Sequence, residues 1–106
     1  MTVDRAVRSW TAEQVQQKPE IVRLGYFGSY ARGDWGVGSD LDLIAVVNET
    51  SESFERRSVN WDLNGLPVSA EIIVYSLPEW EDLEKKDTKF ARMLKSEAVW
   101  TFSKRA

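Results

Sequence analysis

The sequence predicts a fold of the α/β or α+β class, with a mixed β-sheet flanked by helices. Three observations indicate this class. Apolar residues recur at helical spacing near the start of the chain, short runs rich in β-branched and aromatic residues follow, and helical segments are interspersed with those runs. The chain has 106 residues, which suits one core, so we expect a single domain over residues 1–106.

The first predicted elements are a helix, a strand and a short second helix. Apolar residues fall near helical spacing from about 2 to 17, and the following Lys-Pro pair ends that helix. Residues 20–27 are rich in Ile, Val, Leu, Tyr and Phe and predict a strand. A short helix over 28–34 opens directly from this strand, and the glycines in 35–38 predict a loop.

The middle of the chain predicts two further strands. Residues 39–47 give the strongest strand signal in the sequence, and a turn follows. The stretch 53–63 is ambiguous, because its start is compatible with a helix whereas its end alternates between apolar and polar residues. Asn64-Gly65 is typical of a two-residue hairpin, so residues 66–75 are predicted as the returning strand.

The last third of the chain predicts two helices and a final strand. Ser76 and Glu79 have the spacing of a capping box, and a proline in the first turn supports a helix over 77–86. A second helical piece is predicted over 88–95, and a short strand over 99–102.

Composition excludes several classes of function. The chain has neither cysteine nor histidine, which removes disulfides, thiolate metal sites, the usual zinc sites and histidine-based catalysis. No apolar run is long enough to span a membrane and no secretory signal opens the chain, so we expect a cytoplasmic protein. The net charge of −3 makes long nucleic acid a poor candidate for the main partner, because proteins that grip phosphate backbones are usually basic.

Gly28-Ser29 is the first candidate for a functional site. It follows an apolar strand and opens a short helix, whose free amide groups and positive partial charge suit a phosphate. Glycine allows close approach of the backbone, and the serine hydroxyl adds a donor. The alternative is a plain strand-to-helix turn in which Ser29 is the N-cap.

The second candidate is the pair Asp40 and Asp42 within the strongest predicted strand. Side chains alternate along a strand, so both carboxylates share one face, roughly 6.5–7 Å apart along the chain, while Leu41 and Leu43 face the core. Two like charges on one face favour a cation between them, and carboxylate oxygens suit Mg²⁺. The alternative is a solvated strand face.

Glu71 is the third candidate, because it opens an otherwise apolar run. If its strand lies beside residues 39–47, its carboxylate reaches the same metal, since neighbouring strands are about 4.8 Å apart. Alternation then directs Ile73 to the side of Glu71, and Ile72 and Val74 away from it. The alternative is an exposed charge at the end of a strand.

Together these signals resemble a known signature. Gly28-Ser29, a spacer over 30–39, the Asp40-Leu41-Asp42 triplet and a later acid occur in the order of the nucleotidyltransferase signature of the DNA polymerase β superfamily. The chain is most similar to the minimal nucleotidyltransferases found beside toxins, over roughly residues 20–85. The third acid of that family is usually Asp, and here it is Glu71.

The resemblance implies a polymerase-β-like core and an enzyme that transfers a nucleotide to a hydroxyl. Asp40, Asp42 and Glu71 would be the catalytic residues and the ligands of two Mg²⁺ ions, and ATP or another NTP the substrate. The nucleotide-binding set would be Gly28, Ser29, Arg32 and Ser39. Arg32 would reach a phosphate, or it would form a surface salt bridge with Asp34 or another acid. Ser39 would also help to turn the strand.

Three functions follow from this resemblance. The first is an antitoxin that attaches AMP to a small helical partner toxin of the HEPN type. The second is a non-catalytic binding subunit or antitoxin that keeps the fold, and the third is a small-molecule nucleotidyltransferase with a separate substrate-binding subunit. The five tryptophans suit an interface with a partner or with another copy of the chain, unless most of them lie in the core.

Overall fold

A computed structural model describes residues 2–104 and confirms the predicted fold class. Helices flank a mixed four-stranded sheet. Over residues 2–104, no helix has both the length and the apolar character that a membrane span requires. In chain order the elements are α1 (Val3–Gln17), β1 (Ile21–Phe27), α2 (Ser29–Arg32), β2 (Leu41–Val47), a 3₁₀ helix (Phe54–Asn60), β3 (Ala70–Ser76), α3 (Leu77–Lys85), α4 (Lys89–Glu97) and β4 (Val99–Ser103).

The sheet has the order β3-β2-β1-β4. β1 pairs antiparallel with β2 on one side and with β4 on the other, whereas β2 and β3 are parallel. Each predicted helix and strand is present within a few residues of its expected bounds, except that the strand expected over 66–75 begins only at Ala70.

The hairpin predicted at Asn64-Gly65 is wrong. A parallel pair needs a crossover instead of a tight turn, and the chain crosses between β2 and β3 through the 3₁₀ helix and the loop after it. The amide of Asn64 donates to the carboxylate of Asp62 at 3.0 Å, so this dipeptide follows a local side-chain turn. The element just before it is the 3₁₀ helix Phe54–Asn60 and not a strand, so the first arm of a hairpin is missing.

Each face of the sheet has its own apolar cluster. The face covered by α1 carries the larger cluster, which includes Leu41, Leu43 and Val74. The face covered by α3 and α4 carries the smaller one, which includes Ile44 and Val46. Successive side chains of β2 and β3 therefore point to opposite faces of the sheet, as expected for strands.

Most of the tryptophans belong to these clusters. Trp10, Trp61 and Trp80 are buried, and Trp100 is half-buried against Trp80. Only Trp35 is largely exposed among the five, at 56%. Their abundance therefore reflects mainly the core.

The predicted capping box of α3 is present and is extended by an arginine. Ser76 accepts from the amide of Glu79, and the Glu79 carboxylate accepts from the amide of Ser76 at 2.8 Å. Arg57 of the 3₁₀ helix donates to both carboxylate oxygens of Glu79, at 2.6 and 3.2 Å, and to the carbonyl of Val74 at 3.1 Å. The Arg57 side chain is only 10% exposed, so this bridge fixes the crossover against the end of β3.

We expect Glu79→Gln to reduce the acid sensitivity of the fold. The Arg57 guanidinium, followed by the amide of Ser76, lowers the pKa of Glu79 from 4.5 to about 2. Ionised Glu79 therefore stabilises the folded state fully above pH 4.5, and this contribution is lost as the pH falls toward 2. Urea unfolding at several pH values should show a stability gap between wild type and variant that narrows over this window.

A matched control is Glu81→Gln, which changes an exposed acid on the same helix and should leave the pH dependence as in the wild type. A difference in the free energy of unfolding between wild type and Glu79→Gln that stays constant from neutral to acidic pH would contradict the role assigned to the Arg57 bridge.

Candidate active site

The site forms where the end of β1 meets the start of β2. The two strands are antiparallel, and Phe27, the last residue of β1, is paired with Asp42. The chain then turns at Gly28 into α2. This register places the start of α2 beside the Asp42 side chain.

Gly28 is required at this turn for two reasons. Its φ of 80° and ψ of −152° lie in a region that is essentially restricted to glycine. A Cβ atom at this position would also collide with the carboxylate of Asp42. The sequence predicted that the Gly28 backbone would allow a close approach. In the structure the group that approaches it is the Asp42 carboxylate, a side chain of the site itself.

Asp42 and Glu71 are neighbours across the parallel strands. They are directly paired in the register of β2 and β3. Leu41 and Leu43 face the cluster under α1, so Asp42 points to the opposite face, and the same alternation applies to Glu71 between Ala70 and Ile72. Both acids lie on the face of the sheet that, at later residues of the same strands, is covered by α3 and α4.

The charges of two other acids act on Asp42. Burial, then the nearby charges of Glu71 and Asp40, raises the pKa of Asp42, while the positive charge of Arg32 partly opposes this rise. Asp40 lies one residue before β2, outside the strand in which it was expected, and it is exposed, as is Glu71. We call Asp40, Asp42 and Glu71 the acid cluster.

The chemistry of the acid cluster fits a hard divalent cation. Three carboxylates that repel one another would be stabilised by a cation between them, and their oxygens are ligands that Mg²⁺ prefers. Within residues 2–104, however, no three such side chains are already gathered closely enough to hold an ion. The exposed Asp40 and Glu71 would have to turn toward Asp42 to complete a ligand set.

The start of α2 offers backbone donors beside the acid cluster. The first helical hydrogen bonds run from the amides of Ala31 and Arg32 to the carbonyl of Gly28, both at 3.0 Å. The amides of Ser29 and Tyr30 precede these bonds and are not used by the helix. The N-cap is Gly28 and not Ser29, so the interpretation of Ser29 as a capping residue is wrong.

Ser39 has a structural role in the loop before β2. Its hydroxyl accepts from the amide of Gly36 at 2.9 Å, and its own amide donates to the carbonyl of Gly36 at 3.0 Å. The Tyr30 hydroxyl donates to the Ser39 carbonyl at 3.4 Å. These bonds tie the loop to α2, as expected of a residue that turns the chain into the strand.

Arg32 forms the salt bridge that the sequence left as one of two alternatives. Its Nε donates to Asp34 at 3.0 Å, and its Nη1 donates to Glu97, at the end of α4, at 3.2 Å. The hydrogen bond to Asp34, followed by that to Glu97, raises the pKa of Arg32. Glu97 was missed in the sequence because it lies 65 residues from Arg32 and belongs to no motif.

One cavity lies away from the acid cluster. It has a volume of about 510 Å³ and is lined by Val47 and Glu49 at the far end of β2, with none of the predicted site residues. We base the candidate site on the acid cluster and not on this cavity, because the cluster brings carboxylates together beside unused backbone donors. The charged residues around the cavity are instead of both signs: Lys18, Glu20, Glu49, Glu52 and Arg57.

Known proteins agree with this fold. The family model described as a nucleotidyltransferase domain matches residues 8–100. No curated protein matches the chain. Among solved structures, a candidate nucleotidyltransferase from Sulfolobus solfataricus superimposes with a TM-score of 0.63 at 19% identity, covering 92% of this chain and 78% of that one.

Two further structures come from toxin–antitoxin systems. One is a toxin–antitoxin with AMP-PNP, with a TM-score of 0.64, 15% identity, and coverage of 92% of this chain and 74% of that one. The other is MntA–HpeT carrying Asp-to-Glu changes at two positions separated by one residue, with a TM-score of 0.62, 12% identity and the same coverage. At these identities the three structures establish a shared fold.

We expect Gly28→Ala to destabilise the fold more than Gly33→Ala does. Both glycines have positive φ, which costs on the order of 1–3 kcal/mol for another residue. Only at Gly28 would the new Cβ also meet a side chain, that of Asp42, whereas nothing lies within 4 Å at Gly33. Urea unfolding of both variants measures the difference.

The collision itself is tested by combining Gly28→Ala with Asp42→Ala. Removal of the carboxylate should recover part of the stability lost in Gly28→Ala. Strictly additive effects of the two substitutions would contradict the contact between Gly28 and Asp42.

We expect Asp42→Asn to raise the melting temperature at neutral pH. Burial and the charges of Glu71 and Asp40 disfavour the ionised carboxylate in the folded state, which raises its pKa. Its cost to stability is therefore present when it is ionised and is relieved as it binds a proton. Calorimetry should show a gain for the variant that shrinks as the pH falls through the raised pKa toward 3.8, and a lower melting temperature at pH 7 would contradict this.

Proposed function

The chain belongs to the nucleotidyltransferase domain family, and from that premise we propose that it acts as one domain that transfers AMP from ATP to a hydroxyl of a partner toxin. The observation that carries the proposal is the convergence of Asp40, Asp42 and Glu71 beside the glycine turn that opens α2. In this role the protein is an antitoxin.

The acid cluster would hold two Mg²⁺ ions. Asp42 is central, since it pairs with Glu71 across the parallel strands, follows Asp40 by two residues and lies against Gly28. Asp40 and Glu71 are exposed and can turn toward a shared ion, and the longer side chain of Glu71 can adopt a rotamer that compensates for its extra methylene. When bound, the ions would neutralise phosphate charge and polarise the α-phosphate.

The triphosphate would lie along the start of α2. The amides of Ser29 and Tyr30 and the Ser29 hydroxyl would donate to phosphate oxygens, and Arg32 would contribute its positive charge. Ser39 would support the nucleotide through the loop that it fixes to α2. The acceptor hydroxyl would attack the α-phosphorus in line, lose its proton and displace pyrophosphate, which requires positioning and charge neutralisation and no histidine.

The choice of ATP and of a toxin partner rests on the neighbours in fold. One neighbouring toxin–antitoxin was crystallised with AMP-PNP, an analogue of ATP. The MntA–HpeT variant alters two aspartates with the spacing of Asp40 and Asp42, which supports a role for that pair in the chemistry. By resemblance, the partner would be a small helical protein of the HEPN type.

A non-catalytic antitoxin is the second candidate. It is favoured by one observation, namely that the three carboxylates are neighbours but, within residues 2–104, do not form a closed metal-binding group. In that case the protein would inhibit its partner by contact alone. The partly buried Asp42 carboxylate would then destabilise the fold without contributing to catalysis.

We expect Asp42→Asn and Glu71→Gln to abolish transfer of labelled AMP to the partner in the presence of Mg²⁺, while Glu71→Asp retains it. Each of the first two removes a charged ligand, and catalysis through a metal ligand falls by roughly a hundredfold or more when such a group is lost. The assay is incubation with labelled ATP and Mg²⁺, with and without a HEPN-type partner.

Exposed Asp82 of α3, which forms a salt bridge with Lys86, provides the control, and Asp82→Asn should transfer AMP as the wild type does. A wild-type protein that neutralises the toxin without labelling it would reject the transferase in favour of the non-catalytic antitoxin. Labelling of a free small molecule, with no labelling of the protein, would assign the activity to a small-molecule nucleotidyltransferase.

A further inference from the structure

Glu97 connects α4 to the start of the candidate active site. Its carboxylate accepts from Nη1 of Arg32 at 3.2 Å, across 65 residues of sequence. The Glu97 side chain is 26% exposed, less than that of Arg32 at 43%, so the carboxylate is the more enclosed partner. Arg32 is thereby tied to a second element in addition to its own loop.

The position of Glu97 is unfavourable for α4 itself. It is the last residue of the helix, where the partial charge of the helix end is negative and a basic residue would be preferred. Local helix stability therefore does not account for an acid at this point. The contact with Arg32 gives it a favourable partner from outside the helix.

The two carboxylates on Arg32 act on different parts of its side chain. Asp34 is two residues away and binds Nε, near the base of the guanidinium. Glu97 binds Nη1, at its tip, and so restricts the rotation that the Asp34 contact alone would permit. An arginine has five N–H donors, so these two bonds leave three for another ligand.

The guanidinium held in this way belongs to a helix that begins against the acid cluster. α2 has only four residues, and the backbone of its N-cap, Gly28, lies directly against the Asp42 carboxylate. Arg32 also ends the helix whose first residue, Ser29, offers the free amide donors. A phosphate bound at the start of α2 would thus have this cation beside it.

We propose that Glu97 is a positioning residue: it fixes the tip of Arg32 beside Asp42, so that the triphosphate of the nucleotide meets a cation already in place. α4 then contributes to nucleotide binding without touching the nucleotide. This inference rests on the proposed function, because it takes a nucleoside triphosphate as the ligand.

The test is calorimetric binding of AMP-PNP with Mg²⁺ to the wild type, Glu97→Gln, Arg32→Met and the double variant. Glu97→Gln should weaken binding by roughly threefold to fivefold, the scale of an exposed charge pair. Arg32→Met should weaken it by roughly tenfold or more, because a charged hydrogen bond to the ligand is lost. In the Arg32→Met background, Glu97→Gln should have no further effect.

Asp87→Asn is the matched control. It breaks the ion pair at 3.5 Å between Asp87, which lies two residues before α4, and Arg92 of α4, away from Glu97. It should leave binding as in the wild type. In transfer assays, Glu97→Gln should raise KM for ATP while kcat changes less.

The outcomes separate this inference from the proposed function. If Glu97→Gln binds AMP-PNP as tightly as the wild type, the positioning role is overturned. Tighter binding also overturns it, because Glu97 would then compete with phosphate for Arg32. An equal loss in the Arg32→Met background also overturns it, because Glu97 would act through the fold. Wild-type protein that binds AMP-PNP but transfers nothing overturns only the proposed reaction, and wild-type protein that does not bind it overturns both.

Discussion

The close packing of the Gly28 backbone against the Asp42 carboxylate is the constraint on which the site depends. It follows from the register of two antiparallel strands, in which the last residue of β1 faces Asp42. Only glycine can both leave room for the carboxylate and adopt the backbone angles of the turn. The start of α2, and with it the free amides and Arg32, is thereby fixed beside the acid cluster.

This arrangement concentrates electrostatic cost at one end of the sheet. Asp42 is partly buried next to two other acids, and nothing in the apolar clusters requires a charge there. The fold tolerates it because the remainder of β2, from Leu43 to Val47, is fully buried between the two layers of helices. A repulsive group supported by a well-packed strand is typical of a site kept for function.

The sequence predicted the elements and the acid cluster but not all of their connections. Local signals, such as the capping box of Ser76 and Glu79, were sufficient for element bounds because they act within a few residues. The hairpin at Asn64-Gly65 failed because the same dipeptide also suits a side-chain turn, and parallel pairing of β2 and β3 is decided by the whole crossover. The contact between Arg32 and Glu97 also could not be predicted from local signals, because it depends on how α4 packs against the sheet.

Two arginines of this protein differ in burial and in how their ion pairs use the guanidinium donors. Arg57 is almost fully buried, and its donors are used by a bidentate carboxylate and two backbone carbonyls, so it is committed to holding the crossover in place. Arg32 is far more exposed and uses only two of its five donors on carboxylates. An exposed pair contributes little to stability because solvent screens it. In the proposed function, the three remaining donors of Arg32 are available to a phosphate at the start of α2, and holding its side chain at two points serves that contact.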